Sequence, residues 1–417
     1  MSGLSLINGW FPTLLLIAGI VGLVWLMAVS GKRFLVVVPI AAALAVMGIA
    51  LARDLIDYVW RPFPDALEGR VYLWSGLALF AVLLVIADVA GRAGVLSGFL
   101  GVAAGVLVVV AGLLNINIVF DTYPTVGALM GQQDAQPISL AQLDDVDRPT
   151  AEPPSTGRLL TVAIPPTESH FTARPAKIYL PPAVFSSATP HLPVLILLAG
   201  QPGSPDDWFA GGELATTMNS FANAHHGVSP VVVVADGTGS ELGNPLCMDS
   251  RLGDAATYLA HDVPDWITTH LAAADRDHRY WAIGGLSYGG TCALQMATNQ
   301  PDEFPTFLDI SGQVEPTLGD RRRTVDATFG GDEAAFLAID PMTLMAHRRY
   351  PDSAGAFVVG SDDHVYGPQV RATFAAARAA GMDVHYAQEP GGHSFAVWSA
   401  GLRDQLPWLT SRWGIAG

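Results

Sequence analysis

Trp281-Ala282-Ile283-Gly284-Gly285-Leu286-Ser287-Tyr288-Gly289-Gly290 decides how this chain folds. Its centre reads G-x-S-x-G, the sharp strand-to-helix turn that lifts a serine hydroxyl clear of a sheet. An apolar run, 280–283, stands before it and a helix-like run, 291–299, follows. A serine in that turn has a strained backbone, and any side chain at positions 285, 289 or 290 would collide with a neighbouring strand or helix. The five-residue string alone also fits an ordinary turn. The strand before it and the helix after it give it weight.

A serine nucleophile needs a base within hydrogen-bond reach, an acid to orient that base, and N–H donors for the oxyanion. On a sheet entered by such a turn the chain order is Ser, then Asp or Glu, then His. The apolar run 354–360 leads into Ser361-Asp362-Asp363-His364, at the sheet edge where open α/β folds place their sites. Asp363, three residues beyond the strand-ending Gly360, is the preferred acid and Asp362 the alternative; the competing reading is a pair of solvated turn residues. After the next strand comes Gly391-Gly392-His393-Ser394-Phe395-Ala396-Val397-Trp398. His393 alone among the eleven histidines follows the last expected strand, so it is the expected base, whereas His364 reads as loop. The oxyanion donors are expected at the Tyr288 N–H and in the loop Ala199-Gly200-Gln201-Pro202-Gly203. Pro202 has no N–H, which leaves Gln201. Asp206-Asp207-Trp208, just beyond, either lines the pocket rim or caps a helix, and Trp208 and Trp398 are candidate substrate-binding residues.

From Arg158 onward the chain alternates short β-rich and helical runs. Strands are expected at 158–164, 175–180, 193–198, 230–235, 279–284, 306–311, 354–360 and 384–387, and helices at 254–273, 288–299, 367–380 and 394–410. Continuous apolar runs such as Val231-Val232-Val233-Val234 suit a parallel sheet covered on both faces. The expectation is an α/β-hydrolase fold over 158–417, preceded by an all-α transmembrane region.

That region occupies 1–117. Mean hydropathy is +0.35 for the whole chain, and the apolar excess lies at the front. Four runs, 11–29, 34–51, 71–89 and 95–114, have the length needed to cross a hydrocarbon core of ~30 Å. Lys32 and Arg33 follow the first span and Arg92 the third, while no Lys or Arg follows the fourth until Arg148. The positive-inside rule then places the termini and the C-terminal domain outside, although Arg53, Arg61 and Arg70 in the intervening loop argue the other way. Glycines at 94, 98, 101, 105 and 112 suit close helix packing, within the bundle or between copies in a homo-oligomer. Asp88, an acid near the end of the third span, is a functional candidate by default, but pairing with Arg92 one turn on, or reaching the interface, is the plainer reading. Residues 118–157, rich in Pro, Gln, Asp, Ser and Thr, read as an extracytoplasmic tether.

Residues 1–117 hold six Lys/Arg against five Asp/Glu, and the remainder 16 against 33. So acidic a domain excludes a nucleic-acid partner, which demands basic patches. Arg321, Arg322 and Arg323 form a cationic run that either docks an anionic head group or is simply solvated, the second being the plainer reading. The pairs His225-His226 and His261-Asp262 lack the further ligands a metal requires, so neither metal nor cofactor is expected. Cys247 and Cys292 are the two cysteines, and in an exported domain they suggest a disulfide.

Taken together, these residues resemble the esterase family of α/β-hydrolases that includes S-formylglutathione hydrolases (esterase D), enterochelin esterases and the mycolyltransferases of mycobacteria and corynebacteria. The likeness covers about 158–417. It rests on Gly285-Leu286-Ser287-Tyr288-Gly289-Gly290, on Phe329-Gly330-Gly331-Asp332 with Asp340-Pro341, and on His393-Ser394-Phe395 with Trp398. The resemblance implies Ser287 as nucleophile, His393 as base, Asp362 or Asp363 as acid, and ester or thioester chemistry. The four-span front lies outside the family pattern and looks like that of actinobacterial envelope proteins. The expectation is a membrane-anchored serine acyl hydrolase of the bacterial plasma membrane, acting on an envelope ester such as an aminoacyl ester of phosphatidylglycerol. Its rivals are an acyltransferase moving an acyl group to a sugar hydroxyl, and a non-catalytic scaffold or sensor.

Overall fold

The computed structural model describes residues 3–91, 95–144, 154–186 and 191–415. The chain forms two compact units, Met1–Gln132 and Gln133–Gly417.

In the first unit the four apolar runs are helices: α1 (Trp10–Val29), α2 (Phe34–Asp54), α3 (Gly69–Gly91) and α4 (Val95–Phe120). All four are long and apolar enough to cross a membrane. A π-helical turn, Leu55–Trp60, extends α2 and ends at Arg61 in the left-handed region. Ile17, Val21, Leu35, Val46, Leu96 and Leu113 are exposed on these helices, a surface that water would not tolerate and lipid would. Three glycines of α4, Gly101, Gly105 and Gly112, face α3, whereas Gly98 meets open space. A Cβ on Gly101 would stand 2.8 Å from Asp88 Oδ2, and one on Gly105 2.5 Å from Val85 Cγ2, so they permit α3 and α4 to approach. Gly94 and Arg92 lie outside the described residues, and with Arg92 the expected Asp88 pair.

The second unit is built on a nine-stranded sheet. Its strands are β1 (Gln136–Ile138), β2 (Arg158–Val162), β3 (Ala176–Leu180), β4 (Val194–Leu198), β5 (Val231–Ala235), β8 (Trp281–Leu286), β9 (Thr306–Ile310), β10 (Ala354–Gly360) and β11 (Asp383–Glu389); a small ribbon, β6 (Asp249–Ser250) and β7 (Gly253–Asp254), stands apart. The order is β1-β2-β3-β5-β4-β8-β9-β10-β11. Only β3 runs antiparallel to its neighbours β2 and β5. All eight expected runs form strands, and the fold is the expected α/β-hydrolase sheet.

Alternation along the strands divides the core into two layers. Ile196, Val233, Ile283, Phe307 and Phe357 face one side, beneath helices Val263–His270, Tyr288–Asn299 and Gly367–Ala379. Leu195, Val232, Leu308, Ile310 and Val358 face the other, beneath Leu214–Ala224 and Phe395–Arg412. Burying each such side chain contributes ~1.5–3 kcal/mol. The edge strand β11 is only partly buried and carries Asp383 and Glu389 at its ends, which discourages further pairing.

The stretch 118–157, expected as a tether, carries structure in its described part. Residues 118–120 finish α4, Val126–Leu129 form a helical turn, and β1 adds a parallel edge strand beside β2. The Asn219 side chain holds this margin, donating to the Asp134 carbonyl and accepting from the Gly157 N–H. A three-residue strand containing Pro137 has no alternation to read, so composition alone made it look like linker. Residues 145–153 lie outside the described residues.

Candidate active site

Ser287 sits between β8 and the helix Tyr288–Asn299 with φ 53° and ψ −115°, a conformation L-residues avoid. Its N–H donates to Ile310 O at 2.8 Å and its carbonyl accepts from the Thr291 N–H at 3.1 Å, which fix the turn from both sides. The glycines are a steric requirement. A Cβ on Gly289 would lie 2.2 Å from Leu198 O, and one on Gly285 2.3 Å from the Gly289 carbonyl carbon.

His393 enters on the loop after β11. Its Nε2 lies 2.9 Å from Ser287 Oγ and its Nδ1 lies 2.8 Å from Asp363 Oδ2. With the proton on Nδ1, donated to the carboxylate, Nε2 is free to accept from the serine hydroxyl. The second oxygen of Asp363 accepts from the N–H groups of Tyr366, at 2.9 Å, and Val365, at 3.3 Å. Burial pushes the Asp363 carboxyl up, but the His393 hydrogen bond and charge and the two backbone donors outweigh it and hold it below the usual range. Asp363 is therefore ionised at neutral pH, as an orienter must be. Its side chain is only 2% exposed, whereas Asp362 faces solvent and meets the site through its backbone, donating to Gly391 O. The structure thus places Asp363, not Asp362, on the histidine.

Two rings hold the imidazole. Tyr366 stacks on it with centroids 3.9 Å apart, and Trp398 meets it edge-on at 4.9 Å. Trp398, expected to bind substrate, is buried and packs against the imidazole. Tyr366 was not foreseen from the sequence; its position three residues beyond the acid was the available signal.

The loop after β4 lies beside the nucleophile: a Cβ on Gly200 would stand 3.7 Å from Ser287 Cβ. Gln201, expected as an oxyanion donor, is the next residue of that loop. The loop is tied down on its far side. Arg174 donates to Gly203 O at 2.8 Å, to both carboxylate oxygens of Asp236, and to Thr238 Oγ1 at 2.6 Å. The Gln201 side-chain amide donates to Leu242 O at 3.2 Å. Arg174 and Asp236 stand at adjoining ends of the antiparallel pair β3 and β5, a juxtaposition legible only once the pairing is known.

Trp208 is not at the rim. It is fully buried and donates its indole N–H to Leu198 O at 2.9 Å, bracing the loop after β4 from below. The arginine run is also dispersed. Arg321 pairs with Glu315 and lies over the Phe336 ring, Arg322 is exposed with Asp326 at 3.8 Å, and Arg323 donates to Leu318 O. These contacts spend the run within its own insertion and fit the solvated reading better than a head-group clamp.

Cys247 and Cys292 form a disulfide, joining the loop after β5 to the helix that follows Ser287. Around it the Cys247 N–H donates to the Tyr288 hydroxyl at 3.1 Å, and the Gln295 amide donates to Cys247 O at 2.8 Å. Replacing both cysteines by Ser lowers stability by about 2–4 kcal/mol. Thermal unfolding of wild type and variant in detergent, followed by tryptophan fluorescence, measures it.

One buried acid lies beneath the serine turn, where a Cβ on Gly290 would stand 2.6 Å from Asp309 Oδ1. Asp309, on β9 opposite Gly285, is fully buried and accepts from the Gly312 N–H; burial pushes its carboxyl up to about 7. The folded state holds this proton above the ordinary value of 3.8, so its contribution is complete below that pH and is lost as pH rises towards 7. Asp309→Asn, which cannot ionise, removes that part of the decline in thermal midpoint between these pH values.

Among the described residues no group of His, Cys, Asp and Glu is arranged to hold a metal. A serine on a strained turn, an imidazole within hydrogen-bond reach of it and of a buried carboxylate, and a mostly parallel sheet define a serine hydrolase of the α/β-hydrolase fold. The family model described as "Putative esterase" matches residues 169–409, and the chain belongs to that family. An uncharacterized protein of Corynebacterium glutamicum is 39% identical over 373 residues, spanning 87% of this chain and 86% of its own. Two solved structures share the fold: a ferulic acid esterase (TM-score 0.52, 18% identity, 62% of this chain and 99% of that one) and the S-formylglutathione hydrolase from Agrobacterium tumefaciens (TM-score 0.51, 19% identity, 62% and 96%).

Proposed function

We propose that the protein is a membrane-anchored esterase that cleaves a lipid-linked or other envelope ester outside the plasma membrane. The observation that carries the chemistry is the His393 ring, within hydrogen-bond reach of Ser287 Oγ on one side and Asp363 on the other. Ser287 Oγ attacks the ester carbonyl while His393 Nε2 takes its proton, and the carbonyl oxygen becomes an oxyanion facing the Tyr288 and Gln201 N–H groups. The C–O bond breaks as His393 returns the proton to the leaving alkoxide. Water, deprotonated by the same nitrogen, then releases the acid from Ser287. Asp363 stays ionised throughout and holds the imidazolium.

The membrane claim rests on the four helices and on tethering, which gives a substrate in the same membrane a high effective concentration. The proposed organisation is a membrane region over 1–117, a connecting segment, and a catalytic domain that begins no later than residue 158. The disulfide agrees with an oxidising compartment, and an ester of phosphatidylglycerol is the favoured substrate class. Full-length protein in liposomes is expected to release the acyl or aminoacyl group from such a lipid, with Ser287→Ala inert. Hydrolysis of short water-soluble esters alone, with the lipid ester untouched, would contradict the substrate claim.

A further inference from the structure

The four-helix unit contains a groove of about 730 Å³ between α2 and α3. Along most of its length it is lined by small or apolar residues, among them Ala45, Val46 and Gly76. One end is polar. There Arg53, Asp54, Tyr58 and Tyr72 line the mouth. Asp57 stands just behind: Tyr72 donates to it at 2.7 Å and Arg53 Nε meets it at 3.4 Å. The Asp57 side chain is 5% exposed and the Arg53 side chain 58%, so the carboxylate is closed off while the guanidinium faces the mouth.

In a bilayer such a groove is covered by whatever the hydrocarbon offers, because the surrounding solvent is itself made of acyl chains. The ring and guanidinium positions match the interfacial level, where Tyr and Arg anchor. The length of the apolar part ends in a charge that pairs with phosphate. Asp54, on the next residue, is an acceptor for a head-group hydroxyl or ammonium.

We propose that this groove holds the acyl chain of one glycerophospholipid, with its phosphate at Arg53 and a protic head group, of the phosphatidylglycerol kind, at Asp54. The helix count adds a consequence. With four spans and short connections, the α2–α3 connection, the amino-terminal segment and the end of α4 lie on one face of the bundle. The Leu6 N–H donates to Pro124 O at 2.9 Å, joining two of these. The polar mouth therefore opens on the face of the bundle that also carries the amino-terminal segment and the end of α4.

The test uses the full chain carrying Ser287→Ala, purified in detergent, so that lipid retention is read without turnover. Native mass spectrometry is run after adding phosphatidylglycerol or phosphatidylcholine, whose quaternary head group has no donor. One phosphatidylglycerol is expected to remain bound per chain, about tenfold better retained than phosphatidylcholine. Val46→Trp, at an exposed position, and Gly76→Phe are expected to remove it; Asp54→Ala is expected to keep lipid adducts but lose the preference. Helical content by circular dichroism and a monodisperse elution establish that each variant is folded. Equal retention of both lipids, no retained lipid, or undiminished retention in folded Val46→Trp overturns the proposal. So does a wild-type dimer that this variant dissociates, because the groove would then be a contact between copies.

Discussion

Ser287→Ala and His393→Ala each lower kcat by about 10⁶, and the double variant is no slower than either one. The 2.9 Å approach of His393 Nε2 to Ser287 Oγ makes the two groups one device: without the base the hydroxyl is a poor nucleophile, and without the hydroxyl the base has nothing to activate. Losses from such a pair do not add. The activity remaining comes from oxyanion stabilisation and substrate positioning, which the substitutions leave in place. Steady-state hydrolysis of an activated ester by the three proteins measures this. A double variant slower than the singles by the product of their losses would mean that Ser287 and His393 act independently.

Asp363→Asn lowers kcat by about 10⁴ with little change in KM, while Asp362→Asn stays within about threefold of wild type. Asparagine in place of Asp363 keeps the shape but presents a donor or a neutral acceptor to Nδ1. That favours the tautomer with the proton on Nε2, where it cannot accept from the serine. It also removes the charge that stabilises the imidazolium. Asp362 has an exposed side chain and contributes a backbone N–H to Gly391, which the substitution preserves. Comparable losses from both variants would mean that the acid is shared between the two positions.

Both substitutions test a constellation whose corners were legible in the sequence because each follows a strand that sequence could mark. The run 354–360 is apolar and ends in Gly360, and the shorter run Val384-His385-Tyr386-Ala387 leads into Pro390-Gly391-Gly392, so the residues beyond both fall at one sheet edge. Ser287 was legible for the same reason, with the added signature of glycines whose Cβ atoms the turn cannot hold. The choice between Asp362 and Asp363 is different in kind. It turns on which side of a tight turn each carboxylate leaves, and two adjacent aspartates give sequence little to separate them.

What the sequence hid depends on pairings between distant segments. Trp208 follows the oxyanion loop closely enough to suggest the rim, yet its indole turns under the loop to Leu198 O, an acceptor ten residues back. Arg321 looked available until Glu315 and Phe336 were seen beside it. Arg174 carries no motif at all, and its role in fixing the loop follows from the antiparallel entry of β3 next to β5. Asp309 did leave a trace, as an acid inside the otherwise apolar run of β9. The stretches Phe329-Gly330-Gly331-Asp332 and Asp340-Pro341 prove to be helix punctuation. Gly330 ends one helix in the left-handed region, and Asp332 and Asp340 cap the next two.

The most direct test of the catalytic account is to treat the full-length protein with a fluorophosphonate and map the adduct by peptide mass spectrometry. The account predicts one phosphonylated residue, Ser287, with labelling abolished in Ser287→Ala and strongly slowed in His393→Ala. An adduct on another residue, or equal labelling of the Ser287→Ala protein, would contradict it.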